Sequence, residues 1–457
     1  MGSRQTMREE ADAKPPIERQ LTEVTCAGCG CLCDDLTLRV QTGKIDASGV
    51  PCTLAQSMYV AAQDQVHRVR QAPEAQIAGQ PAPLAEVLGL VAERLTRARA
   101  PLILGPTESS MEAQRAAVAL ADVLSAGIDT GLAASGSARW LARQRAGWVG
   151  ATWGEIKQRA DLVLCWDVDL GPGGPHPRFA KRFLEPPGRF IPEGLAGRTV
   201  LHLACWSDRV AGVKGETAIV IQPSHALATL AALRTLVRGG LVDLGSLATT
   251  TGQPAHLWAK LAQQLKAARF GVIVVGPIFD RHASLAECEG LERLIAELNV
   301  FGQGRFVGCT IGQGGNRPGL EAVLGWQAGA PRAVDFSHKH PRYLPLEAEA
   351  SHRIAEGQAD VVLAIGPQQA ATLAQAHATR PFWIQIGHNA TLAGSAGLVP
   401  DLAMATAHPW LEAGGTVMRS DGVPLPLTPL LRPLCPTDAQ MLERLRRQIV
   451  EQGARVP

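Results

Sequence analysis

Seven short, predominantly apolar runs, separated by helix-length amphipathic stretches, constrain this chain more than anything else in it. They are Pro101–Leu104, Asp161–Trp166, Thr199–Leu203, Ala218–Ile221, Val272–Val275, Asp360–Ile365 and Phe382–Ile386. Several close on Gly or Gly-Pro: Gly105-Pro106, Gly276-Pro277, Gly366-Pro367 and Gly387. Runs of this length, closed by turn residues, suit strands buried on both faces. Helix-period patterns lie between them at 84–98, 110–125, 224–238, 254–268, 282–298 and 368–378. Strands alternating with helices at this spacing predict an α/β fold built on parallel sheets. Near the C-terminus, Thr437 is placed to cap a helix whose Met441, Leu442, Leu445 and Ile449 share one face.

A chain of 457 residues accommodates two to four domains, and 46% hydrophobic against 19% charged residues suffices for large cores. The approximate division is a flexible tail over 1–20, a Cys-rich segment over 21–65, and interleaved α/β regions over 66–250 and 251–457. A net charge of +2 and 4% aromatic residues argue against nucleic acid or an anionic membrane as partner. No stretch approaches the roughly 18 apolar residues of a transmembrane helix, and the first 20 residues lack the apolar core of a signal peptide. The expected location is the cytoplasm. There thiols stay reduced, so the ten cysteines read as ligands, catalytic groups or core residues rather than disulfides.

Five of those cysteines cluster: Cys26-Ala27-Gly28-Cys29-Gly30-Cys31-Leu32-Cys33-Asp34-Asp35, with Cys52 following in Val50-Pro51-Cys52-Thr53. Four thiolates can close around zinc or hold a [4Fe–4S] cluster, and the glycines permit the tight backbone such a site needs. The register Cys26, Cys29, Cys33, Cys52 leaves Cys31 spare. Cys31 can replace a neighbour, so chemistry alone does not make the register unique. Cys165, Cys205, Cys288, Cys309 and Cys435 are scattered, and at least the first two read as core. His338-Lys339-His340 reads as a polar loop rather than a metal pair, and His176-Pro177-Arg178 as an anion contact or the start of a helix. The loops Gly171–Pro175 and Gly312–Asn316 can line a cofactor cleft or be plain loops, and the loops at 131–137, 171–178 and 312–319 are expected to gather at the carboxyl ends of parallel strands.

The Cys26–Asp35 motif with Cys52 resembles the N-terminal [4Fe–4S] motif of the B subunit of formylmethanofuran dehydrogenase, of the molybdopterin oxidoreductase superfamily. The resemblance runs on in order. It takes in Trp153–Lys157 and Arg159–Val163, then His176-Pro177-Arg178, Phe270-Gly271 and Gly276, and Val334–Ser337 with Pro341-Arg342-Tyr343. It ends on Gly415-Thr416 and Asp421–Pro424, so that it spans about residues 22–450. It implies several Rossmann-like parallel-sheet domains of molybdopterin oxidoreductase type behind a small Cys-rich segment, with Cys26, Cys29, Cys33 and Cys52 as the metal ligands.

The chain departs from that family where a Cys or selenocysteine would ligate molybdenum or tungsten. The matching stretch, Asp129–Ser137, contains no Cys, and the ligand's place falls at Ala134 or Ser135. A methyl group binds no metal, and a neutral hydroxyl poorly replaces a soft thiolate. The loss resembles the B subunit of the bacterial formyltransferase/hydrolase complexes of methylotrophs. That likeness implies a non-redox structural subunit of a complex that passes a formyl group from tetrahydromethanopterin to methylofuran and releases formate. Its implied partners are a formyltransferase, a zinc amidohydrolase-type hydrolase and a further subunit. No molybdopterin is expected, the former pterin cleft is expected narrowed or empty, and the Cys site is expected to hold zinc, a [4Fe–4S] cluster or nothing. The alternative is the redox-active B subunit of a molybdenum or tungsten formylmethanofuran dehydrogenase.

Overall fold

The computed structural model describes residues 18–131, 135–171, 173–206, 217–312, 314–345, 347–366, 380–391 and 399–453. Two large sheets organise them. The first has five strands in the order Thr217–Val220, Thr199–Ala204, Leu162–Trp166, Phe270–Val275, Arg305–Thr310, all parallel. The second has nine. Its central five are parallel, in the order Gly127–Asp129, Pro101–Leu104, Val361–Ile365, Phe382–Gly387, Leu402–Ala405, and short antiparallel strands close each edge. The nine-stranded sheet thus draws on the chain before residue 130 and after residue 330, and the strands of the five-stranded sheet fall between those stretches in sequence.

Every one of the seven apolar runs forms a strand. All residues of Leu162–Trp166 and Phe270–Val275 are buried, as expected where helices cover both faces of a parallel sheet. Helices at Leu84–Arg97, Met111–Leu124, Ala226–Val237, Ala255–Ala267 and Leu285–Phe301 match the periodic stretches, while 368–378 lies outside the described residues. The helix Asp438–Glu451 begins in a capping box: the Thr437 hydroxyl accepts from Gln440 N, and the Gln440 side chain accepts in return from Thr437 N. Its Met441, Leu442, Leu445 and Ile449 are fully buried and pack it against Met111–Leu124.

Three of the parallel strands escape the apolar-run criterion, among them the three-residue Gly127–Asp129. Arg305–Thr310 (RFVGCT) is interrupted by Gly308, and Leu402–Ala405 is a four-residue LAMA. A small antiparallel sheet, Glu18–Val24, Leu36–Gln41 and Lys44–Asp46, carries the Cys-rich loop at its first turn, and the helix Thr53–Val69 starts directly after Cys52. A hairpin, Gly415–Met418 with Pro424–Leu427, lies beneath that loop.

Candidate functional site

The Cys-rich loop is folded by its own backbone and fastened at three places. Cys26 N donates to Cys33 O at 2.8 Å, closing the loop on itself. Thr25 Oγ1 donates to Pro426 O at 2.7 Å, and Ala27 and Leu32 pack with Trp410, Val417, Leu425 and Leu427. Arg178 grips Asp35 with two hydrogen bonds, and Arg182 pairs with Asp34. Arg178 therefore serves Asp35, at the head of the helix Phe179–Phe183, rather than an anion in solution. Gly30 adopts φ +77°, and a Cβ there would lie 2.6 Å from the carbonyl of Gly312, so glycine is required where the two loops touch.

Cys26, Cys29, Cys33 and Cys52 all line one small pocket with Leu36, Leu54, Ala55, Pro177 and Arg178. Its free volume of about 10 Å³ is near that of a single small occupant. Cys31 lies outside that lining, and it brings His176 with it. Among the described residues, the group of three potential metal ligands whose donor atoms lie within 4.8 Å of one another is Cys29, Cys31 and His176. The thiols are electrostatically unequal. Burial pushes Cys26 up to about 12 and also raises Cys33. The Cys31 thiol, donating to Cys29, lowers Cys29 to about 5, and His176 assists. The same hydrogen bond, with burial, raises Cys31. The donor set is soft and suits a thiophilic ion.

A much larger cavity, about 960 Å³, opens on the other side of this loop, with Ala27 and Gly28 in its wall. Residues at or just after the carboxyl ends of strands from both sheets line it: Thr107 and Glu108, Thr130 and Gly131, Pro277, Thr310–Gly312, His388 and Asn389, and His408. Open parallel sheets place ligands at such ends. Of the loops expected there, Gly131 and the 312–318 segment contribute, whereas His176, Pro177 and Arg178 belong to the Cys site instead.

The described lining of the cavity offers no soft thiolate to a molybdenum or tungsten pterin. No cysteine occurs among its described lining residues, in keeping with the Cys-free 129–137 stretch; residues 132–134, with Ala134 among them, lie outside the described residues. Of the five arginines in the wall, four are engaged by carboxylates: Arg139 by Asp280, Arg143 by Glu292, Arg317 by Glu321 and Arg419 by Asp421. Glu108, buried enough to raise its carboxyl, also faces the cavity. The His388 and His408 rings pack at a 45° tilt with centroids 4.4 Å apart, and burial lowers them to about 4 and about 3.

At the base of the 129–137 stretch, Asp129 is fully buried and accepts from the backbone N–H groups of Thr130, Ala333 and Ala350, with Arg332 Nε 3.6 Å away. Sequence reasoning missed this group and the His388–His408 pair. For the histidines one signal was present: each follows a strand closely. The Asp129–Arg332 contact joins positions 203 residues apart and left none. His338 and His340 are exposed in a turn, as a polar loop should be, and Cys165, Cys205, Cys288 and Cys309 are buried.

Comparison with known proteins places these features. The chain matches no protein-family model. It is 27% identical over 428 residues to the B subunit of the tungsten-containing formylmethanofuran dehydrogenase 2 of Methanocaldococcus jannaschii, covering 90% of this chain and 93% of that one. The corresponding protein of Methanococcus maripaludis is 24% identical over 94% of this chain and 98% of its own length. The B subunit of the formyltransferase/hydrolase complex Fhc of Methylorubrum extorquens is 25% identical over 79% of this chain and 94% of its own. In structure, a chain of the crystallised M. extorquens formyltransferase/hydrolase complex, solved with methylofuran, superposes with a TM-score of 0.68 over 83% of this chain and all of that one, at 24% identity. Acetylene hydratase of Pelobacter acetylenicus superposes with a TM-score of 0.57 over 95% of this chain and 70% of its own, at 12% identity, which speaks to the fold alone. The chain is a homologue of the B subunits of formylmethanofuran dehydrogenases and of the formyltransferase/hydrolase complex.

Proposed function

We propose that this chain is the non-redox, structural B subunit of a multi-subunit formyltransferase/hydrolase complex. That complex would transfer formyl from tetrahydromethanopterin to methylofuran and release formate in the cytoplasm, with the chemistry on sibling chains. The observation that carries the reading is a conjunction. Similarity to these B subunits extends over nearly the whole chain, yet the 129–137 stretch holds no thiol and the cavity above it pairs its arginines internally. In this reading the fold is that of the molybdopterin oxidoreductases, kept for its surfaces. No helix among the described residues is long and apolar enough to cross a membrane.

Under this proposal the chain's residues position and support. The Arg178–Asp35 and Arg182–Asp34 pairs hold the Cys-rich loop against the body, and the Asp129 cluster holds the strand end where the dehydrogenases would place their metal ligand. A scaffold of this size can bury interfaces with its sibling chains of roughly 2,000 Å² or more.

A second reading, a redox-active molybdenum or tungsten subunit, is favoured by two observations: a cavity of about 960 Å³ lies at the strand ends, and two relatives are named as tungsten-containing. The Ser135→Ala variant of the assembled complex separates the two. The structural reading expects both formyl reactions within about twofold of the unaltered complex, since surface or cleft changes of this kind are usually within about 0.5 kcal/mol of neutral. It also expects the complex made without this chain to fall apart on sizing. Lost turnover with the assembly intact, or an active assembly lacking this chain, would contradict it.

A further inference from the structure

We propose that Cys29, Cys31 and His176 form a buried site for one thiophilic divalent cation of the zinc class, distinct in its ligands from the four-thiolate register Cys26, Cys29, Cys33, Cys52. The donor atoms of the three lie within 4.8 Å of one another. Cys31 Sγ and His176 Nδ1 are 4.0 Å apart. Around a tetrahedral zinc, with Zn–S about 2.3 Å and Zn–N about 2.0 Å, a sulfur and a nitrogen ligand stand roughly 3.5 Å apart, so the Cys31–His176 pair closes by about half an ångström and the pairs with Cys29 by at most roughly one.

The protein leaves the imidazole poorly satisfied. His176 is 1% exposed, its Nε2 has no hydrogen-bond partner, and its Nδ1 meets the Cys31 sulfur at the limit of a weak contact. An ion bound at Nδ1 would replace that weak sulfur contact with a ligand bond, while Nε2, directed away from it, stays outside the site. A histidine set between a thiol pair and a dry interior is what a mixed sulfur–nitrogen site provides.

The local backbone brings the two thiols together. Gly30 turns through φ +77° between them, pressed against Gly312. His176 arrives from 145 positions away in sequence, on the segment that Arg178 and Arg182 fasten to Asp34 and Asp35. The ion would therefore pin the same two segments that these pairs already hold. Cys31, spare in the four-thiolate register, has a role in this one. Cys29 belongs to both registers and cannot complete both with terminal ligands, so the ion and a four-thiolate cluster are mutually exclusive. A fourth position remains for water or a neighbouring thiol.

The test uses the full-length chain, stripped with a chelator under reducing conditions and titrated with Zn²⁺ and with Co²⁺. The expected result is one ion per chain, release of protons as the thiols ionise, and a Co²⁺ spectrum with sulfur charge-transfer bands. X-ray absorption at the zinc edge should show imidazole nitrogen beside sulfur. Cys31→Ala and His176→Gln should each weaken binding about tenfold or more, while Cys52→Ala leaves it within about twofold. An all-sulfur shell would overturn the proposal, as would binding that depends on Cys52 but not on Cys31, or no binding at one equivalent. The absorption measurement needs no variant, so a substitution that fails to fold does not leave the question open.

Discussion

Arg178 meets Asp35 in a two-pronged contact, Nη1 to Oδ1 at 2.8 Å and Nη2 to Oδ2 at 2.7 Å, that spans 143 residues of sequence. It joins the end of the Cys-rich loop to the head of the Phe179–Phe183 helix, and Arg182 adds a second pair beside it. A planar guanidinium facing a carboxylate is the strong geometry for such a contact.

Replacing Arg178 with Met should loosen the Cys-rich loop while leaving the two large sheets intact. Asp35 is largely solvent-accessible, so the cost is discounted to about 1 kcal/mol. It is read as a shifted denaturation midpoint and as faster hydrogen exchange confined to residues 25–36. The pH dependence has a definite sign. Burial pushes the Asp35 carboxyl up, but the Arg178 hydrogen bonds and the charges of Arg182 and Arg178 outweigh it and hold it below its ordinary range. Its contribution is therefore present above the unfolded pKa of about 3.9 and fades as pH falls through the lower folded value. In Arg178→Met that acid sensitivity should shrink.

Asp129→Ala should be far more damaging. The carboxylate is fully buried, takes three backbone N–H groups and faces the equally buried Arg332. Removing it orphans those donors and an arginine charge together, which costs about 3–5 kcal/mol. Equilibrium unfolding of the variant measures this directly. Asp129→Asn, which keeps the acceptor for part of the network, should recover some of the loss.

The His388–His408 pair predicts a second acid sensitivity at higher pH. Burial holds both rings neutral, at about 4 and about 3 against an ordinary 6.5, with Gln65 Oε1 3.1 Å from His388 Nε2 and Trp410 N donating to His408 Nδ1. Since both folded values are depressed, stability is fully present above about 6.5 and drops as pH falls toward the folded values. His388→Gln should flatten the dependence of unfolding free energy on pH between about 6 and 4. An unchanged slope would show that the ring is not what titrates.

The sheets were legible because a strand buried on both faces must be apolar throughout, as Leu162–Trp166 and Phe270–Val275 are. The terminal helix was legible because Thr437 and the spacing of Met441, Leu442, Leu445 and Ile449 agree on its start and its face. The order of strands was not: Phe270–Val275 lies between Leu162–Trp166 and Arg305–Thr310, a pairing set by crossover connections that leave no local mark. The cysteine segment announced a soft-ligand site but not its register. Cys31 meets His176, and Gly30 meets Gly312, through contacts between loops far apart in the chain. The internal pairing of the cavity arginines was equally hidden, since Arg139 finds Asp280 and Arg143 finds Glu292 only through the packing of helix Ser135–Ala146 on Leu285–Phe301 and its neighbours.

The central claim is that this chain carries no redox metal, and metal and pterin analysis of the purified, active complex tests it most directly. Elemental analysis for tungsten and molybdenum, together with oxidative release of any fluorescent pterin, should find well under one of each per chain while both formyl reactions proceed. Stoichiometric tungsten or molybdenum with a bound pterin would contradict the structural reading and assign the chain to the redox-active subunits.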